Sequence, residues 1–192
     1  MTNNGIHFDL IRDRYQGSSH TILINPDEDR ELLSFLQAGR DAYFQARNDG
    51  YGNLPPKFAA KYVHDFVPSS SENSGRIHRK RRLEGTAPYL GEFLTGGECR
   101  EKNLLLHLLL AQLGYPSEFL SGTVTFGRMD SHAWLYVPVT EEYADAVAGD
   151  AMPWREYEKR YSSWPNFSNI FVRPHHDIWM LGISCGGFET AH

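Results

Sequence analysis

The sequence predicts an α+β domain, a mainly helical first part followed by consecutive strands that pair as an antiparallel sheet. Three observations carry this prediction. Apolar residues recur at helical spacing from Leu32 to Phe44 and again from Phe58 to Phe66. A leucine-rich stretch from Cys99 to Leu113 is apolar nearly all round, as suits a helix buried on several sides. Strand-like runs then follow one another over Phe119–Phe126, His132–Val139 and Tyr143–Gly149.

Each element has its own start and stop signals. Asp27 and Asp29 open the first helix, and Asn48-Asp49-Gly50 ends it. Pro55 and Pro56 introduce the second, which Pro68 terminates. Gly96-Gly97 precedes the leucine-rich helix, Gly114 supplies a left-handed stop, and Pro116 prevents continuation. Ile22–Ile24 reads as a short strand, Pro153–Tyr161 as a further helix and Ile178–Ser184 as a last strand. Ser69 to Gly75 is the most loop-like segment of the chain. It runs into Arg76, Arg79, Lys80, Arg81 and Arg82, a basic stretch that fits a nucleic-acid patch, a localisation signal or a site for an anionic partner; a solvated loop is the favoured reading, and no aromatic residues are interleaved for stacking on bases.

With 192 residues the chain suits a single domain: a helical N-terminal part over 1–68, a flexible basic loop over 69–85 and a catalytic core over 86–192. Its net charge of −5 makes nucleic acid an unexpected partner, and no apolar run is long enough to span a membrane. The first twenty residues lack the basic and apolar regions of a secretory signal, so a cytoplasmic location is expected; an effector exported without a signal fits the same sequence. Two cysteines, Cys99 and Cys185, are too few for a disulfide framework, and a reducing compartment would leave a reactive thiol free.

Cys99 is the candidate nucleophile. A thiol attacks as thiolate, and the unpaired N–H groups at a helix N-terminus favour negative charge there. The preceding glycines let the backbone approach a substrate, with Gly97 as a candidate contact and the Cys99 N–H as a candidate oxyanion donor. His132, 33 residues later, opens a strand on which Trp134 shares its face. It is the candidate base, and Trp134 a second candidate substrate contact. A carboxylate from the next strand would fix the imidazole tautomer. Asp150 and Asp145 are the two candidates, with Asp150 preferred.

Other residues carry blander readings. His107 inside the leucine-rich helix is expected to be a core or boundary histidine, and Cys185 structural. His175-His176-Asp177 and His192 do not form a metal motif, since adjacent histidines on a strand face opposite ways and no CxxC or HExxH is present. No metal and no cofactor is therefore expected.

Gly97-Glu98-Cys99-Arg100, the helix ending in Gly114-Tyr115-Pro116, Gly122, His132-Ala133-Trp134 and Asp150-Ala151 together resemble the transglutaminase-like superfamily, whose core is shared with papain-type proteases. The likeness covers Leu90 to Met152. It implies a Cys–His–Asp triad carried by a buried helix packed on an antiparallel sheet. It also implies acyl transfer through a thioester, of protease, deamidase or transglutaminase type, on a protein, peptide or other amide-containing substrate. Two rival readings stand beside it: a catalytically inactive binding module of the same fold, and an amide-forming enzyme of small-molecule biosynthesis.

Overall fold

The computed structural model describes residues 6–9, 21–50, 55–125 and 129–156. Two short strands, β1 (Ile6–Asp9) and β2 (Thr21–Ile24), pair antiparallel. Three helices follow: α1 (Arg30–Asn48), α2 (Pro55–Phe66) and α3 (Ser71–Leu83). A 3-10 turn over Leu90–Thr95 leads into α4 (Cys99–Gln112). Four strands close the described chain: β3 (Glu118–Thr125), β4 (Met129–Val137), β5 (Glu142–Asp145) and β6 (Asp150–Pro153). They pair in sequence order, each antiparallel to the next. The α+β architecture is thus observed, and α4 lies against β4 with α1 and α2 beside it.

Asp29 caps α1 by accepting from the Leu32 N–H, and its other carboxylate oxygen accepts from the Gly91 N–H at 2.7 Å. One buried aspartate therefore joins the first helix to the turn that leads towards Cys99. A Cβ at position 91 would collide with this carboxylate, so the turn requires glycine there. Helix α4 is buried along most of its length, with Leu104, Leu105, Leu106, Leu109 and Leu110 at the centre of one apolar core. Leu135, Val137 and Ala144 reach that core from the sheet. Beyond Leu113, the Tyr115 N–H closes back on the Leu110 carbonyl at 2.9 Å.

Two expectations need correction here. Residues 71–83 of the expected basic loop (69–85) form helix α3. Its polar composition disguised its signals. Ser70 is the N-cap, accepting from the Asn73 N–H. Arginine and lysine are good helix formers, and Arg81 is tied to Glu92 and Glu84 by ion pairs of 2.9 and 3.0 Å. Ile77 and His78 turn inward.

The expected strand over 143–149 is instead the end of β5, a tight turn and the approach to β6. Gly149 makes the turn. Its φ is +67°, its N–H reaches the Asp145 carbonyl at 2.8 Å, and a Cβ there would lie 2.8 Å from the His64 ring. Most of the expected helix over Pro153–Tyr161, the strand over Ile178–Ser184, Cys185, His175–Asp177 and His192 lie outside the described residues.

Candidate active site

Cys99 is the first residue of α4 and is half-buried, so it sits at a helix N-terminus without being sealed from solvent. His132 faces it from β4 and is hydrogen-bonded to it. The ring Nε2 lies 2.8 Å from Asp145 Oδ2, which leaves Nδ1 as the nitrogen available to the sulfur. Asp145 is fully buried, and its other oxygen accepts from the Val147 N–H at 2.8 Å. A hydrogen-bonded chain thus runs from thiol to imidazole to carboxylate.

Electrostatics follow from this chain. Burial of the His132 ring disfavours its charge, but the Asp145 carboxylate, by charge and by hydrogen bond, outweighs that cost, and Cys99 adds to it. The ring pKa is pushed up to about 10. His132 is accordingly an imidazolium at neutral pH, paired with one buried carboxylate and facing one sulfur.

The carboxylate that His132 meets is Asp145, not the preferred Asp150. Asp150 opens β6 and forms an ion pair of 3.3 Å with Lys57. The Gly149 turn explains the difference, because it sends the chain back on itself. Asp145 and Asp150 become register partners across β5 and β6, and Asp145 lies on the strand that borders β4.

The two candidate substrate contacts both turn inward. Gly97 is buried, with its N–H on the Pro68 carbonyl and its carbonyl accepting from the Ser70 N–H, both at 3.1 Å. Trp134 is fully buried, with its ring stacked on His132 at 5.9 Å between centroids. It supports the imidazole from behind. His107 is buried with Nδ1 2.8 Å from Ser117 Oγ, and burial lowers its pKa. Among the described residues no group of three or more histidine, cysteine, aspartate or glutamate side chains could hold a metal ion, and no helix is long and apolar enough to cross a membrane.

Sequence reasoning passed over Glu101, Lys102 and Asn103, all buried in the first turns of α4. Glu101 accepts from Arg100 at 2.7 Å and from the Glu98 N–H at 2.9 Å, and lies 3.4 Å from His78 Nε2. Its burial is outweighed by His78 and Arg100, which hold its pKa at about 2. Lys102 Nζ reaches Ser69 Oγ at 3.1 Å, and burial lowers its pKa against the opposing charge of Asp145. The available signal was the polar run Arg100-Glu101-Lys102-Asn103 at the head of a leucine-rich helix.

Residues 94–165 match the N-acetyltransferase family model. The match covers somewhat over a third of the chain and includes Cys99, His132 and Asp145. The protein is also 28% identical over 116 residues to a methionine–tRNA ligase of Haloarcula marismortui, across 52% of this chain and 16% of that protein. The chain therefore spans about a sixth of that relative's length. No solved structure matches significantly.

The family match overturns the transglutaminase-like resemblance drawn from the same stretch and supports an acyltransferase. The physical reason for the misassignment is that a cysteine at a helix N-terminus, a strand histidine and a following acid equip a site for an acyl-cysteine intermediate. They do not specify which acyl group arrives or which nucleophile removes it.

Proposed function

We propose that this protein is a cysteine-dependent acyltransferase that passes an acyl group, acetyl in the reading the family match favours, to an amine nitrogen. The observation that carries the reading is the hydrogen-bonded chain of Cys99, His132 and Asp145 at the N-terminus of α4. A cationic ring beside the sulfur holds the proton that a departing group requires. Cys99 Sγ attacks the carbonyl carbon of an activated donor, such as a small-molecule thioester. The donor's leaving group departs with a proton from His132, and an S-acyl cysteine remains. The acceptor amine then attacks that thioester carbon. His132 takes the amine proton, the C–S bond breaks, and Cys99 is released as thiolate beside a recharged imidazolium.

Asp145 keeps the ring oriented and offsets its charge throughout the cycle. Without it, burial would drive the ring towards the neutral form. Trp134, packed behind the imidazole, restricts its rotation about the side-chain bonds.

The test uses p-nitrophenyl acetate as donor and intact-mass and peptide mass spectrometry as readout. The expected result is one acetyl group on Cys99, released when an amine is added and recovered on that amine. Cys99→Ser should carry none, and His132→Ala should acylate about 10²–10⁴-fold more slowly. Equal labelling of wild type and His132→Ala, or an S-acetyl group that amines do not remove, would defeat the proposal.

A further inference from the structure

Asn103 is fully buried four residues after Cys99, in a leucine-rich helix. Its Nδ2 donates to the Cys99 carbonyl at 2.9 Å and to the Ala133 carbonyl at 2.7 Å, and lies 3.4 Å from Asp145 Oδ1. Its Oδ1 accepts from the Ala146 N–H at 3.0 Å. One side chain thus touches Cys99 itself, the neighbour of His132, Asp145 itself and the neighbour of Asp145.

Strand register shows what this amide replaces. Strands β4 and β5 pair through Val137↔Glu142, Tyr136↔Tyr143 and Leu135↔Ala144, and there the ladder stops. Two residues further along each strand, the same register would set Ala133 against Ala146. Those are the residues whose carbonyl and N–H Asn103 takes. Its side-chain amide, a donor and an acceptor in one plane like a peptide group, is inserted where the next ladder bonds would have formed. The Ala133 carbonyl and the Ala146 N–H are thereby both satisfied by one side chain rather than by each other. His132 and Asp145 flank that splice, and the amide's own helix carries Cys99.

We infer that Asn103 is the positioning residue of the site: its amide, inserted between β4 and β5, fixes the spacing of Cys99, His132 and Asp145. This rests on the proposed cysteine chemistry and goes beyond it, since the bonds of Asn103 run to the Cys99 and Ala133 carbonyls and the Ala146 N–H. A leucine of similar size would suit a leucine-rich helix, but it would leave the Ala133 carbonyl and the Ala146 N–H buried and unpaired. An aspartate would keep the shape, lose the donor and set a second carboxylate beside Asp145.

The test is the pH dependence of Cys99 alkylation by iodoacetamide on the full chain, followed by peptide mass spectrometry so that Cys185 is counted separately. Wild type, His132→Ala, Asn103→Ala and Asn103→Asp are compared, with a thermal melt of each. At pH 6.5 an ordinary thiol is on the order of 1% ionised. Both Asn103 variants should therefore lose at least about tenfold in rate at that pH while approaching the wild-type rate at pH 10. A residue that only stabilised the fold would lower the melting temperature and leave the profile in place.

Profiles that superimpose on wild type would overturn the inference, and so would failure of both variants to fold. If wild type shows no advantage over His132→Ala at pH 6.5, the proposed cysteine chemistry itself fails. If wild type keeps that advantage and the Asn103 variants share it, only the role of Asn103 fails.

Discussion

Replacing Asp145 by asparagine probes the site most directly, because it removes one charge and almost no volume. The carboxylate lies 2.8 Å from the His132 ring, and both groups are largely buried. At an effective dielectric constant of about 20, unit charges about 4 Å apart interact by roughly 4 kcal/mol. At about 1.4 kcal/mol per pKa unit this corresponds to roughly three units. The ring should then fall from about 10 to near 7 or below, since burial acts on it with less opposition. Asp150→Asn removes the same charge from the Lys57 ion pair and should leave the ring unchanged.

Long-range ¹⁵N NMR of the imidazoles reads the protonation state directly, and the His132→Ala spectrum identifies the signal among the nine histidines. Wild-type His132 should remain imidazolium from pH 5 to 9, and the Asp145→Asn ring should titrate within that range. The sign for stability follows from the same shift. The folded ring holds its proton more tightly than the unfolded one, so its stabilising contribution is complete below about pH 6.5 and lost as pH rises through about 10. Alkaline sensitivity should be weaker in Asp145→Asn. A ring that stays charged to pH 9 in Asp145→Asn, or one that loses its charge in Asp150→Asn, would refute the reasoning.

Two further outcomes concern the scaffold. Glu101 binds its proton less tightly when folded, so its contribution is present above about pH 4.5 and lost as pH falls through about 2. A shift of that size corresponds to about 3 kcal/mol. Urea melts at falling pH should record the loss in wild type and a smaller slope in Glu101→Gln. Gly149→Ala places a Cβ at positive φ and 2.8 Å from the His64 ring. It should cost about 2–3 kcal/mol, a drop in Tm of roughly 5–10 °C for a chain of this size. A melting temperature within about a degree of wild type would show that the turn relaxes freely.

The parts of this architecture that could be read from the sequence were those with local signals. Asp29 caps α1, Pro55 starts α2, and Cys99 begins the helix whose leucines form the core. The parts that were misread depend on what the local chain packs against. Polar residues 69–75 resemble a loop until Ser70 is seen as a cap and Ile77 and His78 as the buried edge of α3. The choice between Asp145 and Asp150 turns on whether Gly149 lies inside a strand or makes a turn. Composition gives no answer, and the left-handed φ gives one at once. Asn103 was invisible for the same reason: its meaning lies in a ladder two strands away in sequence.

Why, then, did the same residues fit two families? The residues legible in sequence are those that the proposed acyl-cysteine would need: the helix N-terminus, the thiol and the imidazole. The two positions chosen as substrate contacts, Gly97 and Trp134, are both buried and bonded within the protein. Neither of these two positions therefore reports on the acceptor. On the proposed mechanism deacylation distinguishes the chemistries, because water and an amine compete for the same thioester carbon. Discrimination between hydrolysis and transfer must accordingly lie in side chains that contact the incoming nucleophile, outside the Cys99–His132–Asp145 chain. Substitutions within the chain should slow both outcomes together and leave their ratio unchanged.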